Sequence, residues 1–483
     1  MRDLVRVSMA ISCSAILAGC GAEPFEVQEG FFGGVAADEP RAALVMRDVL
    51  VEGGRAADAA VAGYFALSVT LPSSAGLGAT GSCVVFDPSS QRFEHLDFPA
   101  KVSSGQGPAI ALPLAPRAMF ALHARYGRLR FEALVTEAER LARFGEPVSA
   151  RLAADLAWAN PKILGKPEVA GVLGGERGGV VARGEVLVQN ALGATLGRLR
   201  NAGVGDLYVG PLARQYVEAV RAAGYRIEPD RLRDALPAWS AVTSFEHDNH
   251  IWGVAGADAV ASGRAASILS SLFARGGWPS DDLGQQATLL NQVARNAGPR
   301  AGAGSRPDIP GATSFMAVDR AGQAVACAVG MAVPFGLGDT AAGTGIFLRP
   351  AADNGPAAAL AVIAGNTNTW QFHLGATAGG GEAAFSTLGQ SVLAHYEDDQ
   401  SVARAVEAPR THPDPANGVL YVEQAAAGAG GALSGLGMTV KAAPLLGRAA
   451  LFRCVGGLSK DSSNCDLAGD RRGGGLVLFE REQ

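Results

Sequence analysis

The chain has 483 residues, of which 18% are charged, and a formal net charge of −5. That length allows one large domain or two to three smaller ones, and the apolar content is that of a globular chain and not a disordered one. The acidic balance and the lack of a basic stretch argue against a nucleic-acid partner.

The N-terminus carries a targeting signal. Arg2 and Arg6, partly offset by Asp3, precede an apolar run from Val7 to Leu17 that is too short to span a bilayer. The run ends in Leu17-Ala18-Gly19-Cys20, which resembles a bacterial lipobox. On that reading residues 1–19 are a lipoprotein signal peptide, Cys20 is lipidated, and residues 20–30 are a linker. The chain is then tethered to the cell envelope through acyl chains and faces the periplasm. Gly21 in place of an aspartate favours the outer membrane. The alternative is an ordinary signal peptide cut nearby.

Pro40 to Glu52 has helical periodicity, with Pro early and Gly53-Gly54 closing it. A second helix, Ala56 to about Val69, has small residues on most faces and so belongs in the interior. Gly76 to Gly81 fits a GxGxxG string but not a dinucleotide fingerprint: a helix precedes it and a strand, Cys83 to Phe86, follows. Leu112 to about Asn160 is mostly helical in pattern. His247-Asp248-Asn249-His250 suggests either a metal site or a hairpin tip between Val242–Glu246 and Ile251–Val254; Asp-Asn is turn chemistry and favours the tip. Asn296 to Pro310 is an exposed loop in composition. Thr313–Val318, a turn at 319–322 and Ala324–Val329 then form a hairpin. Gly379-Gly380-Gly381 leads into a helix from Glu382 to Tyr396, and Leu476 to Phe479 is a last strand. Cys454 and Cys465 flank a polar loop and are placed to close a disulfide in an oxidising compartment. Cys83 and Cys327 lie in apolar runs and are expected as buried small residues. With no CxxC spacing, no metal site is expected.

Several of these stretches carry a resemblance. The block 33–72 with its E-G-G-x-A-x-D-A-A-V-A core, AERLARFGEPV at Ala138–Val148, GEVLVQN at Gly184–Asn190, the hairpin PGATSFMAVDRAGQAVA, Ala408-Pro409-Arg410-Thr411-His412 and Ala468 to Gly474 occur in the order seen in gamma-glutamyltransferases. The chain resembles that family over nearly its whole length after the signal. The resemblance implies an α+β fold of the Ntn-hydrolase type, an αββα sandwich of two stacked sheets between helical layers. Residues 31–310 would correspond to the large subunit and 311–483 to the small subunit of one intertwined domain.

The family's chemistry uses a threonine freed by self-cleavage, whose hydroxyl attacks a γ-glutamyl amide while the new α-amine serves as base. No cofactor is implied. Aligned through Val318-Asp319, the nucleophile position is Ala312 and the second threonine is Thr313. Thr313 serves as nucleophile only after a one-residue slip that reverses its strand face; otherwise it is a strand threonine. The family's threonine and asparagine after the hairpin fall at Gly330 and Ala332, and its serine pair at Ala358-Ala359. Its substrate arginine falls in Asp97-Phe98-Pro99. Asp353 is the candidate for the substrate's amino group, the ungapped position being Asn354. Gly379, Gly380 and Gly381 are either an anion-binding nest, with Gly379 and Gly380 the candidate substrate contacts, or a tight turn. His412 is a tempting base within a motif that reads as structural.

Three functions therefore compete. The chain is a glutathione-type γ-glutamyl hydrolase or transferase acting through Thr313, a non-catalytic binding lipoprotein, or an amidohydrolase with another nucleophile. The alanines and glycines at the site positions favour the second.

Overall fold

The computed structural model describes residues 33–159, 165–175, 179–298, 310–352, 358–424, 433, 437–458 and 462–479. Cys20, Asp353, Asn354 and most of the 296–310 loop lie outside the described residues.

Thirteen of the described strands build two antiparallel sheets. In chain order they are β1 (Gly33–Ala37), β2 (Thr80–Asp87), β3 (Arg92–Phe98), β4 (Ala238–Ala241), β5 (Ser244–His247), β6 (His250–Gly256), β7 (Ala312–Asp319), β8 (Ala324–Gly330), β9 (Ala359–Asn366), β10 (Gln371–Gly379), β11 (Arg448–Cys454), β12 (Cys465–Gly469) and β13 (Leu476–Phe479). The first sheet runs β13-β1-β7-β8-β2-β3-β4 and the second β12-β11-β10-β9-β6-β5. The β7–β8 hairpin thus lies between β1 and β2, with β13 on the far side of β1.

Side-chain alternation sorts these strands into layers. On β7, Met316 and Val318 face the second sheet and pack with Ile363, Phe372 and Phe452. Phe315 and Ala317 face the other way, into a large core formed with helices α1 (Pro40–Val51) and α2 (Ala56–Thr70). The outer face of the second sheet packs on α3 (Ala259–Phe273), α4 (Leu283–Ala297) and α5 (Ala383–Tyr396) through Trp252, Leu269, Leu374 and Leu388. The result is the αββα sandwich that the sequence implied. Every residue of α2 is buried, which its run of Ala, Gly and Val permits.

The hairpin turn also fixes α2. The buried Asp319 carboxylate accepts from Ala321 N at 2.8 Å, Gln323 N at 3.1 Å and, across 263 positions, Ala56 N at 3.1 Å. Ala56 is the first residue of α2, so the anion also meets the helix dipole. Burial pushes the Asp319 carboxyl up to about 6, against the pull of those three N–H groups. Gln323 completes the joint by accepting from Ala57 N and donating to Asp87.

One expectation is corrected here. Cys83 and Cys327 are not free thiols: they face each other in register on β2 and β8 and form a disulfide. Two apolar runs that look independent in sequence are neighbouring strands, and both cysteines fall on the same face. Cys454 and Cys465 are likewise bonded, on neighbouring β11 and β12.

Candidate functional site

The site is built at the start of β7. Gly311 enters the strand with φ 107°, and a Cβ there would lie 2.5 Å from the Val333 carbonyl carbon, so only glycine fits. Ala312 follows, 1% exposed, opposite Gly330 of β8. Its methyl group belongs to a small cluster with Ala257, Ala328 and Ala359, all buried. A Cβ placed on Gly330 would come 3.1 Å from the Ala312 Cβ and 3.3 Å from the Ala257 Cβ. Ala312, Gly330 and Ala359, positions to which the resemblance would assign chemistry, thus lie together, and methyl groups fill the space between them. Ala359 from the second sheet closes the cluster, while Ala332, at φ 69°, lies in the following loop. Nearby hydroxyls are engaged across the sheets: Ser314 Oγ donates to the Ala378 carbonyl at 3.2 Å and Ser82 Oγ to the Gly256 carbonyl at 2.9 Å.

Thr313 lies on the opposite strand face from Ala312. It is fully buried, and its Oγ1 donates to the Asp38 carboxylate at 3.0 Å. Asp38 follows β1 and lies 3.6 Å from the Arg448 guanidinium at the start of β11. Gly379 sits between the two: a Cβ there would lie 2.8 Å from Arg448 Nη2 and 3.2 Å from Asp38 Oδ2. Asp38 and Arg448 were invisible as site residues in the sequence, since neither belongs to a chemical motif.

Gly380 and Gly381 make the buried turn into α5, both with positive φ, and the Gly381 N–H donates to the Ala358 carbonyl at 3.2 Å. One of the three N–H groups of the candidate nest is thus used internally. The next residue, Glu382, pairs with Arg264 at 2.5 Å. Asp97, in the stretch 97–99 where the resemblance would place the substrate arginine, stands opposite Ser82 and accepts from Ser240.

One turn along α5, Ser386 Oγ lies 2.9 Å from His412 Nδ1, and both residues are buried. Burial drives the His412 imidazole down to about 4; Asp414 opposes this and Arg264 adds to it. A histidine whose folded value lies below its unfolded value of about 6.5 is neutral when folded and takes up a proton on unfolding. Its contribution is fully present above about 6.5 and is lost as pH falls toward 4. Chemical denaturation at pH 7 and pH 4.5 should therefore show a stability difference that shrinks by about 2–3 kcal/mol in His412→Asn. An unchanged difference would contradict the buried neutral state.

The remaining feature near the hairpin is a cleft of about 270 Å³, walled by Trp158, Pro310, Tyr421, Ala443 and Leu445, with Arg151 and Asp155 among its lining. Arg151 and Asp155 are paired at 3.1 Å, and Ser73 Oγ donates to Asp155 at 2.6 Å. Pro310 places this cleft two residues from Ala312. The His247–His250 stretch is a hairpin tip, with Asp248 and Asn249 at φ 49° and 60°. Among the described residues, no group of three or more His, Cys, Asp or Glu could hold a metal ion, and no helix is long and apolar enough to cross a membrane.

The fold is that of the Ntn hydrolases: the cephalosporin acylase of Bacillus halodurans superposes with a TM-score of 0.76 at 18% identity, covering 96% of this chain and 99% of that one. Residues 42–272 match the pattern of the family described as gamma-glutamyltranspeptidase. The chain is 29% identical over 270 residues to the glutathione hydrolase proenzyme of Escherichia coli (strain K12), covering 50% of this chain and 46% of that protein. It is also 29% identical over 225 residues to scoloptoxin SSD14 of Scolopendra dehaani, covering 43% of this chain and 39% of that protein. The matches thus span less than half the length of these relatives.

Proposed function

We propose that this chain is a catalytically silent member of the gamma-glutamyltranspeptidase family, a lipid-anchored envelope protein that binds a small molecule without cutting it. The observation that carries the reading is the alanine cluster. Ala312 occupies the nucleophile position, is 1% exposed, and packs against Ala257, Ala328 and Ala359. A methyl group can neither attack a carbonyl nor accept a proton. Loss of a single oxyanion donor typically costs roughly 10²–10³ in rate, and here the nucleophile itself is gone. Thr313 does not replace it, because its hydroxyl is held by Asp38 on the other face of the strand. The cleft beside Pro310 supports the binding half of the proposal: apolar walls with a few polar groups are the usual make-up of a small-molecule site. The relatives' names point to γ-glutamyl amides as the ligand class. The anchor rests on Cys20 and its lipobox-like approach.

The test is hydrolysis of a γ-glutamyl anilide by purified residues 21–483 beside the Thr313→Ala variant. Both should release no more aniline than buffer alone. Turnover that Thr313→Ala abolishes would overturn the proposal and make Thr313 the nucleophile. Turnover that survives Thr313→Ala would overturn it too, in favour of another nucleophile.

A further inference from the structure

Away from the alanine cluster, on the two strands either side of β9 in the second sheet, two histidines meet without hydrogen-bonding each other. His250 opens β6 and His373 lies on β10, with their ring centroids 4.2 Å apart at an interplanar angle of 59°. They are 8% and 7% exposed. Three of their four ring nitrogens, His250 Nε2 and both nitrogens of His373, are buried with no hydrogen-bond partner. A buried polar atom left unpaired costs about 1–3 kcal/mol, so the pair is hard to explain as packing alone.

The fourth nitrogen fixes the state of His250. Tyr396 Oη donates to the Asp248 carboxylate at 3.1 Å, and His250 Nδ1 lies 3.2 Å from the same phenol oxygen. A phenol has one proton to give, and a carboxylate only accepts. The proton in the second contact therefore sits on His250 Nδ1, which leaves a lone pair on Nε2. A carboxylate that orients an imidazole through its far nitrogen is the usual outer shell of a metal-bound histidine. Gly457 packs closely against His373: a Cβ there would come 2.9 Å from His373 Nε2 and 3.1 Å from Gln371 Oε1.

We infer that His250 and His373 form a divalent transition-metal site, with His250 Nε2 and one His373 nitrogen as the protein ligands and water in the other positions. Neutral imidazole selects borderline ions such as Zn(II), Ni(II) and Cu(II) over Mg(II) or Ca(II). Two protein ligands make this a modest site and not a closed structural one. Arg453, which donates to the His373 carbonyl and lies over the Tyr396 ring, adds a nearby positive charge that limits affinity, while Asp248 offsets it.

The experiment is calorimetric titration of Zn(II) into untagged residues 21–483. One ion per chain should bind saturably. His250→Gln and His373→Gln should each weaken binding by about tenfold or more. His395→Gln is the control, since His395, next to Tyr396 on α5, is engaged by the Gln400 carbonyl at 2.6 Å; it should bind as the parent does. A Co(II) absorption spectrum on the parent protein reports nitrogen ligation even where a variant fails to fold. Absence of saturable Zn(II) binding would overturn the inference. So would binding that both glutamine variants leave unchanged.

Discussion

Asp470→Ala should lower the stability of the folded chain by about 3–5 kcal/mol, the typical cost of stranding one buried charge. Arg410 and Asp470 are each 1% exposed at the side chain and 2.7 Å apart. Arg410 also donates to the Val406 carbonyl at 2.6 Å and the Leu446 carbonyl at 3.2 Å. Asp470 accepts from Ala449 N at 2.8 Å and Arg472 N at 3.0 Å. Removing the carboxylate leaves a guanidinium in the interior with no counter-charge so well placed. The double replacement Arg410→Met/Asp470→Leu should recover most of the loss, because a buried ion pair adds little over apolar side chains of similar size. Urea denaturation at pH 7 measures both. A loss below about 1 kcal/mol, the level of an exposed pair such as Arg233–Asp230, would contradict this account.

Removing the Cys83–Cys327 disulfide should cost more than removing Cys454–Cys465. The two bonds close loops with sequence separations of 244 and 11. The chain-entropy argument assigns about 5 kcal/mol to the long loop and nearer 3 kcal/mol to the short one. Paired Cys→Ala variants compared by denaturation give the order directly. The reverse order would mean that the denatured chain already holds β2 and β8 together.

How much of this was legible in the sequence follows from what each feature needs. The β7–β8 hairpin needs only local signals, alternation and a glycine-bearing turn, and the structure returns it within a residue at either end. The His247–His250 tip was legible for the same reason. Features that join distant strands were not. The Cys83–Cys327 bond depends on β2 and β8 being neighbours, which no local pattern states. Arg410 and Asp470 each stood in a recognisable stretch, yet the reason for both stretches, a shared buried ion pair, appears only when the segment before Thr411 meets the residue that follows β12. The alanine cluster is the sharpest case. The losses at Ala312 and Ala359 were visible against a family pattern, but Ala257 and Ala328 carry no chemical signal, and only packing reveals that they complete the plug. Asp38 was missed because its partner, Thr313, lies 275 positions away.

The central claim is that β7 presents a methyl group where the family presents a nucleophile. Intact mass of the purified chain, residues 21–483, tests it most directly, because self-cleavage needs that nucleophile. The account predicts one uncut chain. Two fragments meeting at Ala312/Thr313 would contradict it, since Thr313 would then carry a free amine beside its hydroxyl.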